Sequence, residues 1–239
     1  TDQALNLTTT TLKALTTKQI AALETSDLAL LTSSNIAILS SVQLQALTTS
    51  QIAGLSSQQV FDLNTTTLQA LSTRQIAALE TGDVAVLGTT SIANLLTTQL
   101  QALTTSQIGG LTSQQVLDLS TTTLRSLTTT QVGAIETTDL VVMSTAQLLA
   151  LSSSQIRALN TAQIVELTST QLAGLSSAAV AALTTEQLSV LSPSSRNYLD
   201  ASSLLALSGT QIVGLTTAQF AALSTSTLAA LNTSTISSL

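Results

Sequence analysis

The chain has 239 residues, of which 44% are apolar, 8% charged and 1% aromatic, and its net charge is −6. Six Lys and Arg spread singly make no basic patch, so nucleic acid is not an expected partner. With no His, no Cys, no Gly-rich phosphate loop and no metal-ligand cluster, the sequence leads us to expect neither an enzyme nor a cofactor.

The lead-in, residues 1–14, contains Leu7, the first member of a column. From there to Leu239 a large apolar residue returns at every eighth position, and only Ile135 and Met143 depart from Leu. A fixed period of this kind marks a stacked array in which each unit leans on its neighbours. Ser and Thr interrupt every octad, so no apolar run is long enough to insert into a membrane.

The first block, residues 15–70, shows the grammar in Leu15-Thr16-Thr17-Lys18-Gln19-Ile20-Ala21-Ala22. We number these positions 1 to 8. One long helix is excluded, because eight residues advance about 80° past two full turns at ~3.6 residues per turn, and the Leu column would wander. A continuous strand fits badly, since positions 1 and 6 would face opposite sides. One short helix per octad explains every column. Position 2 is a Thr, Ser, Asn or Asp N-cap in most octads, and Gln or Asp follows three residues later, the spacing of a capping box. Positions 1 and 6 are then the two halves of a hydrophobic staple. Helices this short are marginal alone, so neighbouring units must supply stability. The expected fold is all-α, a solenoid or superhelix of very short helices. A β-solenoid with two or three octads per coil is the alternative, favoured by the abundant Thr.

The second block, residues 71–126, aligns on the first without gaps at 37 of 56 identical positions. Blocks 127–182 and 183–238 keep the frame with more drift, and no linker interrupts residues 1–239, which read as one continuous repeat array. The 56-residue period has two readings: simple duplication of seven octads, or seven octads completing a whole number of superhelical turns. Paired acidic residues return as Glu24/Asp27, Glu80/Asp83 and Glu136/Asp139. Two carboxylates are too few for a good calcium site, whereas an N-cap and N3 placement suits the helix dipole. In the fourth block Leu191-Ser192-Pro193-Ser194-Ser195-Arg196-Asn197-Tyr198 departs most from the grammar. Arg196 takes the staple position, Tyr198 is the single tyrosine, and Pro193 falls on N1, where proline is tolerated. Pro193, Arg196 and Tyr198 form a candidate interaction patch, against the plainer reading of a kink or a decayed octad.

The Leu-Thr-Thr-x-Gln-Ile-x-Ala octads resemble the Thr/Ser/Leu-rich octapeptide repeat tracts of large secreted Gram-negative exoproteins of the haemagglutinin or adhesin type. The resemblance implies an extracellular or cell-surface structural role and carries over no catalytic or ligand residue. The expected function is a structural repeat protein of a fibre, sheath or adhesin stalk that self-associates as a homo-oligomer or filament. Rows of Thr and Ser hydroxyls give the alternative, a binding module for ice or polysaccharide. The chain opens on Thr1 with no signal peptide and closes on Leu239 without a polar cap, so continuation in a longer chain or onto another copy is also expected.

Overall fold

The computed structural model describes residues 8–192, 205–221 and Thr225. Every complete regular element among them is an α-helix of five or six residues, one per octad, as in the consecutive helices Thr17–Ala21, Thr25–Leu30 and Ser33–Ala37. No strand occurs among the described residues, so the array is an all-α repeat solenoid and the β alternative is set aside. The physical reason lies in the staple. Ile20 at position 6 is 0% exposed and Leu31 at position 1 is 6% exposed. A five-residue offset brings two side chains to one core around a helix end, not along one face of a strand.

The caps follow the expected geometry. Thr16 has extended backbone, φ −70° and ψ 160°. Its hydroxyl accepts the Gln19 N–H at 3.3 Å, and Gln19 Oε1 accepts the Thr16 N–H at 2.9 Å. At the other end the chain leaves the helix through the position 1 Leu: Leu31, at φ −66° and ψ 145°, donates its N–H to the Leu28 carbonyl at 3.1 Å. Two extended residues per octad thus make the whole turn, and no described residue needs a positive φ.

Backbone contacts group the chain into two compact units, the first ending at Leu119 and the second beginning at Ser120. In the first unit Thr25–Leu30 packs on Thr49–Ala53, which packs on Thr73–Ala78, which packs on Thr97–Ala102. In the second, Thr137–Val142, Thr161–Glu166, Thr185–Val190 and Gly209–Val213 form the same kind of file. Each step is 24 residues, so three octads make one coil. Seven octads are therefore two coils and one third, which does not close a whole number of turns. Within the first unit, copies of a motif 56 residues apart fall on different files. This favours duplication as the source of the longer period.

Coil-to-coil contact explains two further columns. A Cβ added to Gly110 at position 8 would lie 2.2 Å from the Thr81 methyl, at position 3 of the coil before. Gly54 meets Thr25 and Gly174 meets Thr145 in the same way, at 2.0 and 2.1 Å. Position 8 is small because the position 3 methyl occupies the space. We expect Gly110→Ala to lower stability by about 1 kcal/mol, through crowding and a displaced Thr rotamer, and Thr81→Ser to restore it. Gly82→Ala, with nothing within 4 Å of the new Cβ, should instead add about 0.5–1 kcal/mol. Thermal denaturation of the four proteins measures all three effects.

Candidate functional site

The most organised polar feature is internal. The position 5 glutamines are buried: Gln51 and Gln59 are 2% exposed, Gln107 and Gln115 1%, and Gln163 0%. In each, one side chain serves two helix ends. Oε1 accepts the N-cap N–H of its own octad, as Gln107 does from Thr104 at 2.8 Å. Nε2 turns the other way and donates to two carbonyls, 31 and 28 residues earlier in the chain. Gln107 reaches Ile76 O at 3.1 Å and Leu79 O at 2.6 Å. Gln51 reaches Ile20 and Leu23, Gln59 reaches Leu28 and Leu31, and Gln115 reaches Val84 and Leu87. In the second unit Gln155, Gln163, Gln171 and Gln187 repeat the pattern. The carbonyls belong to the junction leading into the helix on which the glutamine's own helix packs. They are the last-turn acceptors that a short helix leaves open. The result is a ladder of carboxamides joining coil to coil.

The capping-box spacing predicts only half of this role. The overlooked signal is chemical. Glu serves a capping box as well as Gln, yet no octad carries Glu at position 5. A carboxylate can only accept, while these sites need two N–H donors.

The acidic octads are the variant rungs. Glu24, Glu80 and Glu136 take the N-cap and Asp27, Asp83 and Asp139 the third helical position, as the spacing predicts, but the Glu side chains make no capping bond. Asp83 is 4% exposed and accepts the Ser57 hydroxyl at 2.8 Å from one coil below. In the first unit the pairs at 24/27 and 80/83 lie on different files and do not converge. No cluster of three or more metal-binding side chains is found among the described residues. Pro193, Arg196 and Tyr198 lie outside the described residues.

The outer surface is mostly hydroxyl and small apolar. Position 2 hydroxyls are used in capping, and position 3 methyls pack between coils. Thr49, Thr73 and Thr97 nevertheless form an exposed file, one per coil. Larger apolar side chains stand singly outward, with Val42 65%, Phe61 57% and Val165 54% exposed. Asp62 shows how an exposed acid ties coils together. The Ser33 hydroxyl, one coil below, and then the Gln58 carboxamide hold its carboxyl below the usual value, against slight desolvation. No helix among the described residues is long and apolar enough to cross a membrane.

Three segments match the ALTTAQ repeat: residues 20–57, 76–113 and 132–169. Their starts are 56 residues apart, so the ALTTAQ matches follow the duplicated block, and the chain carries a repeat tract of this type. No curated protein matches the chain. The motif can be read off the structure in Ala46-Leu47-Thr48-Thr49-Ser50-Gln51. It is the small close-approach residue, the staple Leu, the N-cap, the packing Thr, an outward residue and the ladder Gln.

Replacing Gln107 by Glu keeps the capping acceptor but sets a buried carboxylate against two carbonyls. We expect a loss of about 3 kcal/mol or more at neutral pH, larger than for Gln107→Ala. The loss should be partly recovered in acid, where the carboxyl can donate. Its pKa would be raised in the folded state, so stability falls as pH rises. Denaturant titrations at two pH values check this. For Asp62 the sign is opposite. Its depressed pKa gives stability that is present above the unfolded value and lost as pH falls through the folded one. Ser33→Ala should move the Asp62 titration upward by NMR.

Proposed function

We propose that this chain is a structural repeat protein of an extracellular fibre, sheath or adhesin stalk, and that it self-associates. The observation that carries this reading is the carboxamide ladder. Its polar machinery is spent inside, joining one coil to the next, and each coil offers the next the same open carbonyls and the same amides. Such a construction suits length and repetition rather than a single pocket. The weakly charged, hydroxyl-rich exterior with single apolar side chains supports lateral association between copies. The octad resemblance to secreted exoproteins supports the extracellular setting and a cell-surface or polysaccharide contact.

Electron microscopy of the purified chain in dilute physiological buffer tests the proposal. Uniform filaments or ordered bundles support it, and isolated particles at high concentration overturn the self-association. A second reading rests on the exposed file of Thr49, Thr73 and Thr97, which presents one hydroxyl per coil to ice or polysaccharide. Thermal hysteresis or glycan-array binding that is lost in the triple Val variant would favour it over the first.

A further inference from the structure

The ladder is not uniform. In the first unit Gln43, Gln51 and Gln59 occupy three consecutive octads, and so do Gln99, Gln107 and Gln115. Between them position 5 reads Thr67, Gln75, Asp83 and Ser91. Thr67 ends on its own N-cap, donating to Asn64 Oδ1 at 3.1 Å. Asp83 is occupied by the Ser57 hydroxyl and, as a carboxylate, donates nothing. Ser91 is too short to cross to the coil below. Among the described residues, the carbonyls these three would serve receive no side-chain donor: Ile36 and Leu39, Ile52 and Leu55, Val60 and Leu63. Only Gln75 spans this stretch, reaching Leu44 O at 2.7 Å and Leu47 O at 2.8 Å. The other polar links there are Ser57 to Asp83 and the exposed Gln45 to Ala70 O at 3.1 Å.

We infer that residues 63–94 form an opening seam, at which the first unit separates from the coil below while the glutamine-stitched coils on either side stay closed. The reasoning is energetic and local. In a stacked array stability is a sum of unit and neighbour terms, and opening follows the weakest neighbour term. Each missing carboxamide removes two buried hydrogen bonds and leaves two carbonyls without their donor. The hydrophobic staples continue through the seam, since Leu68 and Val84 are both 0% exposed, so the seam folds but is the first part to open. In a load-bearing array the consequence is a built-in point of extension. Releasing one coil lengthens the chain by up to roughly 3.4 Å per residue before the stitched coils yield. This consequence rests on the structural reading above, whereas the seam itself does not.

Hydrogen exchange of the full chain, followed by mass spectrometry, tests the seam whether or not copies assemble. Amides in residues 63–94 should exchange faster than those in 39–62 and 95–118. Asp83→Gln should slow exchange in the seam by roughly tenfold, and Thr67→Gln/Asp83→Gln/Ser91→Gln by more. Gln75→Ala should speed it there by a similar factor and leave the stitched coils unchanged. Uniform exchange across the first unit overturns the inference. So does unchanged seam exchange in both Asp83→Gln and Gln75→Ala, two single variants that serve even if the triple variant does not fold.

Discussion

A helix of five or six residues is nearly all ends. The first four N–H groups and last four carbonyls of any helix lack partners within it, so here almost every backbone group must be satisfied from outside. This constraint dominates the molecule. Hydrophobic burial alone would leave the open groups inside a thin aliphatic core, at a cost of about 1–3 kcal/mol for each buried orphan. The position 5 carboxamide answers it from both directions. Its oxygen takes an N-terminal N–H of its own helix, and its nitrogen serves the C-terminal carbonyls of a junction one coil away. Gln is suited to this because one planar group carries both an acceptor and two donors.

The remaining columns follow from bringing those groups together. The carboxamide can span the coils only if the helices approach closely, so position 8 is small and the position 3 methyl lies against it. The Leu and Ile staple closes each turn through extended backbone, and glycine is needed for space rather than for an unusual dihedral angle. Arg125 and Arg157 add a related device at position 7. Each donates through Nε to a position 8 carbonyl one coil above, Ala150 O at 3.2 Å and Ala182 O at 3.3 Å, where a cation suits the helix C-terminus.

Departures from the grammar are informative because the rule is so regular. Asp at position 5 keeps a polar group at the helix N-terminus but reverses the direction of hydrogen bonding. It then takes a hydroxyl from the coil below rather than giving two protons to it. The 56-residue duplication distributes such departures over different files, since seven octads and three octads per coil share no common factor. A feature repeated in the sequence is therefore not stacked in space until three blocks have passed, and no continuous acidic line arises in the first unit.

Local rules were legible in the sequence. The N-cap, the capping box and the staple each join residues three to five apart, so an eight-residue period is enough to reveal them, and with them the all-α class. Position 5 was recognised as a cap and position 8 as small, but each for only part of its reason. What the tertiary structure decided is everything whose partner lies 24 to 31 residues away: three octads per coil, the second half of the glutamine's role, the methyl that keeps position 8 small, and the different directions faced by repeated acidic pairs. A strict repeat hides these relations. When every octad looks alike, the pattern is equally compatible with two, three or seven units per turn, and only close packing of real side chains selects among them.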